Sequence, residues 1–162
     1  MHTTRVIEGL SIDLNSEEDT SLLGRAIARV ARPGVVVALV GPLGAGKTRL
    51  ARAVAEARGV DPAAISSPTF VLIHEYVGET PIYHVDAYRL ESPAAFLDLG
   101  ITDYFGGEGL VLIEWADRVR SEIPADAWWI YLSPTGPTSR NARFEPPPTE
   151  EHLSDELAEQ LA

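Results

Sequence analysis

Apolar positions along the chain recur at two spacings, and each predicts a different element. Leu22, Leu23, Ala26, Ile27 and Val30 fall three and four residues apart, the mark of one helix face. Ser16 precedes them as a cap, and Glu17, Glu18 and Asp19 fill the first turn, where the helix dipole favours acids. Pro33-Gly34 ends that helix. Val35 to Val40 is apolar throughout, like a strand buried on both faces of a parallel sheet. A glycine-rich turn and a helix from Lys47 to Arg58 follow.

Further on, Phe70 to Val77 and Pro81 to Asp86 are rich in β-branched and aromatic residues and flank Gly78-Glu79-Thr80, which predicts a hairpin. Pro93 to Leu99 reads as a short helix. Leu110 to Ile113 is a second buried strand and ends at Glu114; Trp128 to Leu132 is a third. Asn141 to Phe144 is expected as a fourth, at a sheet edge. From Glu145 the composition changes: Pro146-Pro147-Pro148 stops regular structure, and the remainder holds acids but no Lys or Arg. Leu153, Leu157 and Leu161 are spaced for a short helix, yet the composition favours a solvated, loosely docked tail. The pattern gives an α/β domain over residues 1–148 with an acidic tail over 149–162. Its sheet is expected to be mostly parallel, with helices on both faces and one β-hairpin.

Composition narrows the chemistry. The 162 residues suit one domain, and 45% hydrophobic residues exclude wholesale disorder. No cysteine is present, so disulfides, thiolate metal sites and a cysteine nucleophile are excluded. No apolar run approaches membrane-spanning length and no secretory h-region opens the chain, so a cytoplasmic location is expected. The net charge of −11 argues against direct, autonomous binding of a nucleic-acid backbone. Twelve of the 13 bases are Arg, so the single lysine, Lys47, is informative.

That lysine lies in Gly41-Pro42-Leu43-Gly44-Ala45-Gly46-Lys47-Thr48, a full G-x-x-x-x-G-K-[ST] motif between a buried strand and a helix. Glycines let backbone N–H groups turn inward around phosphate oxygens, and the helix N-terminus adds a field that favours anions. Lys47 can reach β- and γ-phosphates, and the Thr48 hydroxyl can ligate Mg²⁺. A guanine-reading N-K-x-D motif needs a second lysine, so ATP is favoured as the nucleotide. Such a loop needs a carboxylate at a neighbouring strand end, to hold the metal through its water shell. Glu114 and Asp86 both stand at predicted strand ends: one could serve the metal and the other position an attacking water. Trp115 reads as core packing. His74 and His84 lack companions at metal-ligand spacing. Ser67-Pro68-Thr69 reads as a rigid turn presenting hydroxyls.

Several motifs in order resemble the TsaE (YjeE) family, the small P-loop ATPases of tRNA threonylcarbamoyladenosine (t6A) biosynthesis. They are the glycine-rich loop, Ser67-Pro68-Thr69-Phe70, His84-Val85-Asp86-Ala87-Tyr88-Arg89-Leu90, Leu99-Gly100-Ile101-Thr102-Asp103-Tyr104-Phe105 and Leu112-Ile113-Glu114-Trp115. The resemblance spans roughly Ser16 to Leu132 and implies a P-loop NTPase-like fold. It implies Thr48 and Glu114 as Mg²⁺ ligands and Asp86 as a residue needed for hydrolysis. Thr69 would belong to a switch-like segment sensing the γ-phosphate, and Glu17 and Thr20 would lie by the adenine. It implies TsaB-like and TsaD-like partners, with tRNA engaged only through the complex. Ala87, Arg49 and Ala116-Asp117 depart from the family's usual residues without removing a phosphate or metal ligand. Two rival readings are a small-molecule kinase and a nucleotide-dependent binding module with little turnover.

Overall fold

The chain is described here by a computed structural model of residues 1–65 and 72–162. A hairpin outside the sequence expectations opens it: β1 (His2–Val6) and β2 (Gly9–Leu14), paired antiparallel. Leu10, Ile12 and Leu14 alternate inward along β2, which is the period of a half-buried strand. Helix α1 (Glu17–Val30) follows, with the Ser16 hydroxyl accepting the Asp19 N–H at 3.2 Å, the cap the sequence predicts. Then come β3 (Val36–Val40), the glycine-rich loop and α2 (Lys47–Ala57). The second hairpin pairs β4 (Ile73–Tyr76) with β5 (Ile82–Asp86) antiparallel, as expected from its turn; Phe70 and Val71, where its first strand was expected to begin, lie outside the described residues. After α3 (Pro93–Asp98) come β6 (Leu110–Glu114), a 3₁₀ segment over Ala116–Glu122, β7 (Trp128–Pro134), β8 (Arg140–Glu145) and α4 (Leu153–Leu161).

Among the described residues, eight strands join one sheet in the order β1-β2-β8-β7-β3-β6-β5-β4. Its centre is parallel, through β7–β3, β3–β6 and β6–β5. Both wings are antiparallel, through β1–β2, β2–β8 and β7–β8 on one side and β4–β5 on the other. The sheet is therefore mixed rather than mostly parallel. β8 is also not an edge strand. It lies between β7 and β2, because the first hairpin continues the sheet beyond it.

Two apolar layers fill the two faces. One lies between the sheet and α1, α2 and α4, and includes Leu23, Ile27, Leu50, Val54, Leu112, Trp128 and Phe144. The other lies under α3 and the 3₁₀ segments, with Val36, Ala38, Val85, Phe96, Val111 and Ile113. Helical segments thus cover both faces, as expected. At the α1–α2 crossing Gly24 is required by close approach: a Cβ there would stand 2.5 Å from the Ala53 Cβ. The acidic C-terminal segment is not loosely docked. Leu153 and Leu157 enter the first layer and are buried, because their spacing of four gives α4 one apolar stripe that packs on α1.

Candidate functional site

Strands β3, β5 and β6 run parallel, so their C-terminal ends open on the same edge of the sheet. There the glycine-rich loop leaves β3, Asp86 ends β5 and Glu114 ends β6. The register sets Glu114 directly between Leu39 and Asp86. A cleft of about 470 Å³ lies at this edge. Leu43, Gly44, Gly46, Lys47 and Thr48 line it from the loop and the start of α2. Asp86 and Glu114 line it from the strand ends, and Glu17 and Thr20 from the first turn of α1. Gly41, Pro42 and Ala45 complete the loop behind this lining. Ala45 is fully buried in the core layer. At Gly41 a Cβ would stand 2.5 Å from the Leu132 carbonyl oxygen, so the loop leaves β3 pressed against β7. Thr69, with Ser67 and Pro68, lies outside the described residues.

Lys47, the first residue of α2, turns back over the loop and is only 4% exposed. Its Nζ donates to the Gly41 carbonyl at 2.6 Å and the Pro42 carbonyl at 2.9 Å. It also sits 3.9 Å from the centroid of the Trp115 ring. Burial pushes the ammonium below the usual lysine range, and the charges of Glu114, Asp117 and Asp86 pull it part of the way back.

Glu114 is buried and fully engaged. Its Oε1 accepts the Thr48 hydroxyl at 2.7 Å, and its Oε2 accepts from His84 Nε2 at 2.6 Å. Burial alone would push this carboxyl up. The His84 hydrogen bond and charge, the Thr48 hydroxyl and Lys47 together outweigh burial and hold it below the usual carboxylate value. Asp86 points its Oδ1 at the Tyr88 N–H, 2.9 Å away, and so caps the short 3₁₀ turn Ala87–Arg89. At the α1 side of the cleft, Glu17 Oε2 accepts from Arg49 at 2.7 Å.

Three contributions go beyond the sequence expectations. His84 sits opposite Leu112 in the β5–β6 register, one pleat back from Glu114 on the same face, which brings its ring to the carboxylate. Trp115 packs against the second core layer, as expected, and is also half-buried at the cleft. It is the one non-glycine residue among the described residues with positive φ (57°), and its ring packs 4.8 Å from Tyr88 and under Lys47. Arg140, from β8, reaches the loop's Gly44 and Ala45 carbonyls. For His84 and Trp115 a signal existed in their places near the motif acids. Arg140 lies far along the chain and carries none.

The donor set is suited to a hard cation that keeps water and phosphate ligands. One hydroxyl and one carboxylate, 2.7 Å apart, face the cleft beside a lysine. Among the described residues no cluster of three or more His, Asp or Glu forms a protein cage for a metal. No helix among them is long and apolar enough to cross a membrane.

Comparison with known proteins agrees on one family. The family model described as "Threonylcarbamoyl adenosine biosynthesis protein TsaE" matches residues 14–142. A tRNA threonylcarbamoyladenosine biosynthesis protein TsaE from Bacillus subtilis (strain 168) is 38% identical over 128 residues, 78% of this chain and 79% of the relative. A protein of the same description from Treponema pallidum (strain Nichols) is 41% identical over 109 residues, 67% of this chain and 80% of the relative. The crystal structure of YdiB from Bacillus subtilis superposes with a TM-score of 0.75 at 30% identity, covering 98% of this chain and 97% of that one.

Proposed function

The chain belongs to the TsaE family, and on that premise we propose that it is the ATP-binding and ATP-hydrolysing subunit of the assembly that forms t6A at position 37 of tRNA. The observation that carries the ATPase part is the Thr48–Glu114 hydrogen bond at 2.7 Å beside the buried Lys47. A hydroxyl and a carboxylate so paired, at the mouth of a P-loop, are where Mg²⁺ would be held.

In this reading the 41–48 loop cradles the phosphates with its backbone N–H groups. Lys47 leaves the Gly41 and Pro42 carbonyls for the β- and γ-phosphates. Thr48 and Glu114 hold Mg²⁺, with His84 fixing the carboxylate from behind. When bound, Mg²⁺ neutralises charge on the phosphate oxygens. Asp86, at the neighbouring strand end, orients the attacking water. Glu17 and Thr20 flank the nucleoside side of the cleft, and Thr69 belongs to the segment that senses the γ-phosphate. Catalysis is then mostly positioning and charge stabilisation.

The loop offers one cation, Lys47, for the transition-state charge. Arg89, exposed at the cleft beyond Asp86, is the next candidate. The ATPase is accordingly slow alone and faster with TsaB-like and TsaD-like partners, which position that arginine or supply another; such an arginine is worth about 10³–10⁵ in turnover. The net charge of −11 fits a subunit whose partners hold the tRNA.

Phosphate release with and without Mg²⁺ and partners tests the proposal. Lys47→Ala should abolish turnover in a folded protein, and Glu114→Gln should raise the Mg²⁺ requirement and cut the rate. Wild-type kinetics in both variants would remove the P-loop reading. Equal rates with and without partners would remove partner activation, and phosphoryl transfer to a metabolite panel would favour a kinase instead.

A further inference from the structure

Among the described residues two cations hold the glycine-rich loop, and one of them lies outside its motif. Lys47 takes the carbonyls of Gly41 and Pro42. Arg140, the first residue of β8, takes the next pair. Its Nε donates to the Ala45 carbonyl at 3.1 Å, and its Nη2 to the Gly44 carbonyl at 3.1 Å. Its Nη1 is anchored in turn by the Ser139 carbonyl at 2.9 Å and the Gly136 carbonyl at 3.4 Å. The guanidinium therefore bridges the β7–β8 turn and the loop, and it lines the cleft. Among the described residues no carboxylate forms an ion pair with it.

The two cations differ in what they can do next. Lys47 must release its carbonyls to reach a phosphate. Arg140 need not move, because both ends of its fork are already satisfied. A trans peptide points its C=O and the following N–H in opposite directions. Holding the Gly44 and Ala45 carbonyls therefore fixes the planes that carry the Ala45 and Gly46 N–H groups, just before Lys47 opens α2. A planar fork with donors at fixed angles suits two adjacent carbonyls, and a lysine ammonium does not reproduce it.

We propose that Arg140 is a positioning residue for nucleotide binding: it holds the Gly44–Gly46 backbone in its phosphate-cradling form while Lys47 is away on the ligand. The proposal rests on the P-loop reading above. It concerns the diphosphate that ATP and ADP share, so it changes affinity for both and leaves the chemical step alone.

The test compares wild type, Arg140→Ala, Arg140→Lys and Arg143→Ala. Arg143 pairs with Glu145 at 2.7 Å and serves as a control from the same strand. ADP and ATPγS affinities are measured by calorimetry with Mg²⁺, alongside steady-state ATP hydrolysis. Arg140→Ala should weaken both nucleotides about tenfold, because a loop that is no longer pre-set must be ordered when the phosphates bind. Turnover at saturating ATP should stay within about twofold, and the nucleotide-free protein should melt a few degrees lower for the anchoring hydrogen bonds it has lost. Arg140→Lys should remain weakened, Arg143→Ala should match wild type, and millimolar guanidinium should restore part of the affinity of Arg140→Ala. Wild-type ADP affinity in Arg140→Ala overturns the proposal, as does a loss confined to saturated turnover. If the alanine variant does not fold, Arg140→Lys decides, and wild-type ADP affinity there overturns it equally. A wild-type protein that binds neither nucleotide instead refutes the P-loop reading on which the proposal rests.

Discussion

Leu157 tests whether the C-terminal helix belongs to the core. Its side chain is wholly buried in the layer that α4 shares with α1 and the sheet, although acids surround it in sequence. Leu157→Ala loses the transfer energy of the removed carbons and leaves a cavity, together about 2–5 kcal/mol in well-packed cores. A terminal helix with an exposed outer face settles inward more easily than a central strand, which places the cost at the lower end, about 2–3 kcal/mol. For a domain of this size each kcal/mol moves the melting temperature by about 2–4 °C, giving a fall of roughly 4–12 °C. Urea unfolding followed by far-ultraviolet circular dichroism reads the same loss as a lower midpoint at unchanged slope. Glu159→Ala, on the exposed face of the same helix, is the control and should sit within about 0.5 kcal/mol of wild type. Coincident midpoints for the two variants would mean that α4 is detached in solution, as its composition alone suggests.

Ser154 is wholly buried beside Leu153, and its hydroxyl has no partner among the described residues; Ser154→Ala should raise stability by about 1 kcal/mol in the same urea assay. His84→Leu removes a hydrogen bond to a buried carboxylate and should cost about 1.5–3 kcal/mol. A double-mutant cycle with Glu114→Gln should show that the two losses are not additive. Gly41→Ala drives a Cβ against the Leu132 carbonyl and should destabilise by about 1–3 kcal/mol, read as a lower melting temperature.

What the sequence disclosed was whatever is contiguous in it. The strand, loop and helix over residues 35–58 announce themselves within two dozen positions, because backbone freedom, an apolar run and a lysine follow in fixed order. The Ser16 cap and the 73–86 hairpin are equally local. Leu10, Ile12 and Leu14 carried a clean alternation for β2, but β1 shows none, since His2 to Val6 is almost entirely exposed. Without that hairpin, β8 had no outer neighbour and read as an edge. The sign of the wings follows from this: a parallel core can be inferred from buried apolar runs, whereas antiparallel additions depend on which strand meets which. The tail failed for a different reason. Charge counts describe the outer face of α4, and the few leucines that decide docking are outnumbered. In the site, Lys47, Thr48, Glu114 and Asp86 were legible as types at strand and helix ends. Arg140 acts through a long-range reach that no spacing encodes, and His84, although it lies near Asp86 in sequence, meets Glu114 only through the β5–β6 register.

The placement of Trp115 gives the protein a built-in optical reporter. The chain has three tryptophans. Trp128 is sealed in the core against Phe144, and Trp129 lies under the Arg120 guanidinium, on a different strand from the cleft. Only Trp115 faces an ammonium, that of Lys47, 3.9 Å above its ring. A ligand that drew Lys47 away would remove a positive charge from the indole's face and change its emission, while the other two indoles would keep their surroundings. With Trp128 and Trp129 replaced by phenylalanine, the fluorescence of the unlabelled protein would follow the position of one lysine in real time.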